Sequence, residues 1–107
     1  MVYHYIYTKC ESMEKNSAEE GWWRLIELCA GLNDKKLVNE LFDLFLTLEE
    51  KEALATRCLL VGELLKGKKT QREIAAQLQI SISKITRGSN ALKTINKELR
   101  EYLSERL

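Results

Sequence analysis

The stretch TQREIAAQLQISISKITRGSNALK, residues 70–93, decides the fold. It opens with Thr70-Gln71-Arg72-Glu73, a threonine followed three residues later by a glutamate. That spacing is a capping box: the hydroxyl accepts from the third helical N–H, and the carboxylate reaches back to the cap's own N–H. It starts a helix of roughly eight residues with Ile74, Ala75 and Leu78 turned inward. A break follows at Gln79-Ile80-Ser81, where glycine is the usual turn residue and this chain has Gln79. Ser81 is placed to cap a second helix carrying Ile82, Ile85 and Leu92. Two short helices joined by a tight turn form a helix-turn-helix pattern, spanning about residues 68–93. The small Ala75 lets them approach, and Ile74, Leu78, Ile80 and Ile85 fill the space between.

The outward positions are then Gln71, Arg72, Ile82, Ser83, Lys84 and Thr86. These types suit base reading. Arginine forks onto guanine, glutamine onto adenine, and isoleucine touches a thymine methyl. The N-terminal residues of the second helix meet base edges first.

Charge supports the same face. The net charge is only +1, but residues 1–56 hold 6 Lys/Arg against 11 Asp/Glu. Residues 57–93 hold 8 Lys/Arg against Glu63 and Glu73 alone. A local positive field within a near-neutral chain is what a phosphate-binding face requires, although a solvated basic surface gives the same count.

Outward from this head the chain reads as helix throughout. It has no proline and five glycines, and helix formers dominate it. Residues 17–31 place Trp22, Leu25, Ile26, Cys29 and Ala30 on one stripe, with Ser17 and Glu20 as a possible cap. Trp22 is expected in a core and Trp23 partly exposed. A second helix at about 34–44 is apolar nearly all round (Leu37, Val38, Leu41, Phe42, Leu44, Phe45, Leu46), which calls for burial on more than one side and suggests a subunit interface. Thr47-Leu48-Glu49-Glu50 is another capping box, opening a long helix to about Lys66. Its expected inner face is Leu54, Cys58, Val61, Leu64 and Leu65, and Gly67 is placed to end it. A last helix spans about 96–106, with Asn96 as cap and Leu99, Tyr102 and Leu103 inward. Residues 1–16 show no convincing pattern and are expected to be a disordered extension, with 17–107 as the helical domain.

Other function classes lose support here. The three cysteines are widely spaced and His4 is the only histidine, so no zinc site is expected. Cys29 and Cys58 read as small buried apolar residues of a protein in a reducing cytoplasm. No apolar run reaches the length of a membrane span. No catalytic residues are assigned, because no His–carboxylate–nucleophile set or phosphate-cradling glycine loop is visible.

Residues 86–93, Thr-Arg-Gly-Ser-Asn-Ala-Leu-Lys, taken with Gln71-Arg72-Glu73 and Leu54-Ala55-Thr56-Arg57, resemble the bacterial tryptophan repressor family. The likeness runs without an evident gap from about Trp22 to Leu103. That family is itself a standard example of helix-turn-helix docking. The resemblance implies an all-α, six-helix intertwined homodimer. It implies double-stranded operator DNA as partner, L-tryptophan as corepressor, no metal, and control of tryptophan-biosynthesis or related promoters.

The resemblance also implies a ligand pocket. Arg57 matches the arginine that pairs with the ligand carboxylate, and Arg87 the arginine that lies over the indole. Gly88 leaves space beside the ring. Leu44, Leu46 and Thr47 match the partner-subunit segment that closes the pocket and receives the amino group, and Leu60 and Val61 lie where the long helix passes. Thr56 and Lys93 join the DNA-binding set. The chain departs from the family at Ala91, where many members have a serine that helps hold the ligand amino group. It departs again at Ala75, Ser83 and Lys84, so the operator is expected to differ. Two rivals stand beside this reading: a regulator of the same fold answering to another ligand or to none, and a helical protein-interaction module.

Overall fold

The computed structural model describes residues 17–107, so the expectation for residues 1–16 lies outside the described residues. All regular structure among the described residues is helical. The order is α1 (Ser17–Ala30), α2 (Lys35–Phe45), α3 (Leu48–Lys66), α4 (Gln71–Leu78), α5 (Ile82–Leu92) and α6 (Lys97–Arg106). The chain divides into two compact units, one ending at Leu46 and one running Thr47–Leu107.

In the first unit, α1 begins at Ser17 itself, so Ser17 is a helical residue rather than the expected cap. Glu20 is turned forward to Arg24, with a 2.8 Å contact across one turn. Asp34 caps α2 by accepting from the Lys36 N–H at 3.0 Å. No residue of either helix is buried.

The second unit is built on local signals. The Thr47 hydroxyl accepts from the Glu50 N–H at 3.1 Å, and the Thr47 N–H donates to the Glu50 carboxylate at 2.8 Å. Gly67, at φ 64°, ends α3 in the left-handed conformation, where the absence of a Cβ removes the steric cost. Thr70 and Glu73 repeat the capping box with the same two distances. Ser81 caps α5 through the Lys84 N–H at 3.2 Å, and Asn96 caps α6 through the Leu99 N–H at 2.8 Å.

The core lies where α3, α4 and α5 meet. Leu60, Ile74 and Ile85 are buried, with Leu64, Ala75, Leu78 and Ile80 packed against them. Ile74 and Ile85 are enclosed completely enough that each contributes roughly 1.5–3 kcal/mol of transfer free energy. Helix α6 returns against α3, and the Leu107 side chain comes to rest over Gly62. A polar clamp closes the head beside this core. The Gln77 amide donates to the Glu63 carboxylate at 3.3 Å and accepts from the Lys69 ammonium, which itself reaches Glu63 at 3.5 Å.

Several residues expected inward are open on the single chain. Trp22 is 57% exposed, against the expectation of a core position, while Trp23 is partly exposed as expected. Leu54, Cys58, Leu99 and Tyr102 are also exposed, and the buried face of α3 is set by Leu60 and Gly62 instead. Helical periodicity marks the face that needs covering; it does not say what covers it.

The turn between α4 and α5 carries a specific strain. Gln79 adopts φ 57°, the one non-glycine residue with positive φ among those described. Its N–H and that of Ile80 both reach the Ala75 carbonyl, so the end of the helix is satisfied despite the side chain. Gln79→Gly removes the Cβ penalty of about 1–2 kcal/mol but adds unfolded-state freedom worth roughly 0.5–1 kcal/mol. The expected outcome is a thermal midpoint a few degrees higher, measured by helical circular dichroism at fixed protein concentration.

Two carboxylates make the head acid-sensitive. The hydrogen bond from Gln77, helped by Lys69 and Lys66, holds Glu63 below the ordinary glutamate value near 4.5. The hydrogen bonds from the Thr70 backbone and hydroxyl do the same for Glu73. A depressed folded value means the unfolded chain takes up these protons first. Their stabilisation is complete above the ordinary value and is lost as pH falls through the folded values. Urea midpoints measured from pH 6 down to pH 3 are expected to fall, and Glu63→Gln to flatten part of that fall.

Candidate nucleic-acid interface and ligand pocket

The long helix α3 offers a stripe at Glu52, Ala53, Thr56, Arg57 and Leu60, spaced so that successive turns of one helix share a face. Helix α5 offers a matching stripe at Lys84, Arg87, Gly88 and Ala91. With Ile80 from the turn, the two stripes enclose an open cavity of about 570 Å³ within the second unit. That lies within the usual size range of small-molecule sites, roughly 300–1,000 Å³.

Gly88 sets how closely the two helices approach. A Cβ built on it would lie 3.0 Å from Leu60 Cδ2 and 3.7 Å from Leu64 Cδ1. Its bare backbone therefore meets the core leucine that also forms the pocket wall. The walls carry opposite charges. Arg57, Lys84 and Arg87 bring three cations and Glu52 one carboxylate, and none of the four side chains is engaged in an ion pair.

A second, shallower concavity lies on the outer side of α5, lined by Ile82, Ser83, Thr86, Arg87 and Asn90. Gln71 and Arg72, at the exposed start of α4, also lie open to solvent.

The expected ligand residues thus fall into three groups. Arg57, Leu60, Arg87, Gly88 and Ala91 come together around one cavity. Val61, one position beyond Leu60, is half-buried and absent from the wall, because a single step along a helix turns the side chain away from the stripe. Leu44 and Leu46 belong to the first unit, and Leu44 is 75% exposed there. Thr47 starts the second unit, where its hydroxyl accepts from Glu50 and its carbonyl from the Lys51 N–H.

The expected DNA residues also divide. Ile82, Ser83 and Thr86 gather in the outer concavity. Thr56 and Lys84 stand in the pocket wall, and Lys93 is the exposed cap residue at the end of α5.

The family model for Trp repressor protein matches residues 20–107, taking in all six helices but for the first residues of α1. This chain belongs to the Trp repressor family. A Trp operon repressor homolog of Chlamydia trachomatis serovar D is 41% identical over 93 residues, covering 87% of this chain and 99% of that protein. The Trp operon repressor homolog of Chlamydia caviae is 45% identical over 91 residues, covering 85% and 90%. That of Vibrio vulnificus is 37% identical over 86 residues, covering 80% and 84%.

For this member of the Trp repressor family, reading the sequence alone missed Glu52, Ala53, Ile80 and Asn90 as lining residues. A signal for the first two was present. Glu52 and Ala53 precede Thr56 and Arg57 by one helical turn, so a face containing Arg57 had to include them. Asn90 similarly follows Thr86 by four.

The close approach at Gly88 makes a graded prediction. Gly88→Ala forces Leu60 to give by a few tenths of an ångström, a strain offset by roughly 1 kcal/mol of helix propensity. Stability is expected to change little. Gly88→Val adds branched bulk against the same leucine and is expected to cost about 1–3 kcal/mol, read as a lower urea midpoint with an unchanged slope.

Proposed function

We propose that this chain is a homodimeric transcriptional repressor of the cytoplasm, reading operator DNA with α4 and α5 and activated by L-tryptophan. Arg87 carries the reading. It lines both the inner cavity and the outer concavity of α5, so one side chain borders a ligand-sized space and a face suited to bases. Membership of the Trp repressor family supports the assignment of these two faces. The reading is of a regulator, not an enzyme.

In this reading Arg57 takes the ligand carboxylate with its planar guanidinium, and Arg87 stacks on the indole. Leu60, Gly88 and Ala91 shape the wall. Leu44, Leu46 and Thr47 of the partner subunit close the site, and Val61 supports it from behind. Gln71, Arg72, Ile82, Ser83 and Thr86 face the major groove. Thr56, Lys84 and Lys93 reach the adjoining backbone, where neutralised phosphates release counterions.

Exposed apolar side chains support the dimer. Leu44 and Phe45 in the first unit and Leu48, Leu54 and Leu59 in the second are each about half or more exposed on the single chain, and apolar surface left open in this way is what a subunit interface covers. Two copies then carry two heads. Ligand binding sets their spacing to about 34 Å, the step between successive major grooves in helix-turn-helix dimers, the tryptophan repressor among them. The ligand can bias that spacing only through its differential affinity for the two arrangements.

Gel-shift of the full chain on a tryptophan-biosynthesis promoter fragment tests the reading, with and without L-tryptophan. At least tenfold tighter binding with the ligand is expected. Binding is also expected to weaken steeply with salt, and Arg87→Ala to lose the ligand response. Equal binding in both conditions removes the corepressor, and absence of salt-dependent binding removes the DNA partner. Sedimentation is expected to give twice the 12.4 kDa chain mass.

A further inference from the structure

Arg100 is drawn inward on α6: it is only partly exposed, while Leu99 and Tyr102 on the same helix are 44% and 53% exposed. An arginine turned inward beside open apolar residues requires a partner, because its guanidinium cannot lose its charge. The partner is on another helix. The Arg100 Nη2 donates to the backbone carbonyl of Leu92, the last residue of α5. That carbonyl is one of the four at a helix end that no N–H of the helix reaches. The two before it are met locally. Asn90 accepts from the Lys93 N–H at 3.2 Å, and Ala91 from the Thr94 N–H at 3.0 Å and the Thr94 hydroxyl at 2.8 Å. Helix α5 has no basic residue in its own last turn, so Arg100 also brings the positive charge that the carbonyl end of a helix favours.

The bond acts on the direction of α5. Ile85, fully buried, holds the helix to the core near its start. A helix held at one point can still tilt about it. Leu92 lies seven residues beyond Ile85, about 10 Å along the axis, and Ile82 three residues before it, about 4.5 Å. Between them Gly88 meets Leu60 through apolar contact, which is non-directional. The bond from Arg100 is directional and acts at the long arm, where it opposes tilt most effectively. Helix α6 is itself seated on α3, so the anchor is tied to the helix that forms the opposite wall of the cavity.

We propose that Arg100 is a positioning residue that sets the tilt of α5, and through it the fit of Ile82, Ser83 and Thr86 to base edges. This rests on the reading of α5 as the helix that enters the major groove. It assigns to α6 a part in sequence discrimination that needs no contact with DNA.

Fluorescence anisotropy of the full-length chain with L-tryptophan present tests it, on a tryptophan-biosynthesis promoter fragment and on a scrambled duplex of equal length and composition. Wild type is expected to prefer the promoter. Arg100→Met keeps an unbranched side chain and removes the donors, and it is expected to bind the promoter about tenfold more weakly. Its binding to the scrambled duplex is expected to stay within about twofold of wild type, because phosphate neutralisation tolerates a range of tilts. Arg100→Lys returns a cationic donor and is expected to recover part of the preference. A lower folded fraction weakens both duplexes alike, so an unchanged ratio between them overturns the role of Arg100. Amide exchange measured without DNA gives a second readout. Lys93 and Thr94 are expected to exchange faster in Arg100→Met relative to Ile74 in the core, and parallel exchange at all three overturns the anchor. Failure of wild type to prefer the promoter overturns the reading of α5, and this proposal with it.

Discussion

Leu60 sits at the junction on which the second unit depends. Its side chain is 3% exposed and packs with Ile74 of α4 and Ile85 of α5. It also lies against the bare backbone of Gly88 and forms part of the pocket wall. One leucine thus belongs to the core that fixes the two short helices and to the cavity between α3 and α5. Close-packed interiors respond to changes of a single methylene. A change in the pocket at this point cannot be absorbed without moving either the leucine or the helix that Gly88 brings against it. The continuity is one of packing, from the cavity wall to the core that holds the two short helices.

The same junction shows how little of the apolar surface one chain can bury. Leu60, Ile74 and Ile85 are the whole set of buried hydrophobics among the described residues. Against them stand Trp22, Leu44, Leu48 and Leu59, each more than half exposed. Local devices hold five of the six helices in place: two capping boxes, three further side-chain caps and a left-handed glycine. Such caps contribute on the order of 1 kcal/mol each and define where helices start, but they do not supply a core. The remaining burial must come from another surface, and a second copy of the chain is the partner the proposed function provides.

What could be read from the sequence follows this division between local and distant causes. Thr47 with Glu50 and Thr70 with Glu73 were legible because a capping box is complete within four residues. The ends at Gly67 and the caps at Ser81 and Asn96 were legible for the same reason. Within the head, Ile74 and Ile85 were recognisable as core because their partners lie only a turn away. Trp22, Leu54, Cys58 and Tyr102 were misplaced because their periodicity is equally consistent with burial inside one chain or between two. The cavity was half legible. Arg57, Arg87 and Gly88 were singled out through family resemblance, whereas Glu52 and Ile80 required knowing which face of α3 the turn opposes. The strain at Gln79 shows in the sequence only as a missing glycine; its left-handed backbone is visible only in the fold.

Arg87 is where the inner cavity and the outer concavity meet. It borders both, and a guanidinium offers its planar faces to a ring and its in-plane donors to phosphates or bases. In the proposed reading, a ligand in the inner cavity holds that plane against its indole and fixes the rotamer of a side chain otherwise free to sample either side. Ordering a long side chain before DNA arrives removes an entropic cost of up to about 2 kcal/mol from the later event. In that reading the ligand acts in two ways, by occupying the space between α3 and α5 and by pre-organising Arg87. The second contribution requires no change in the position of α5 at all.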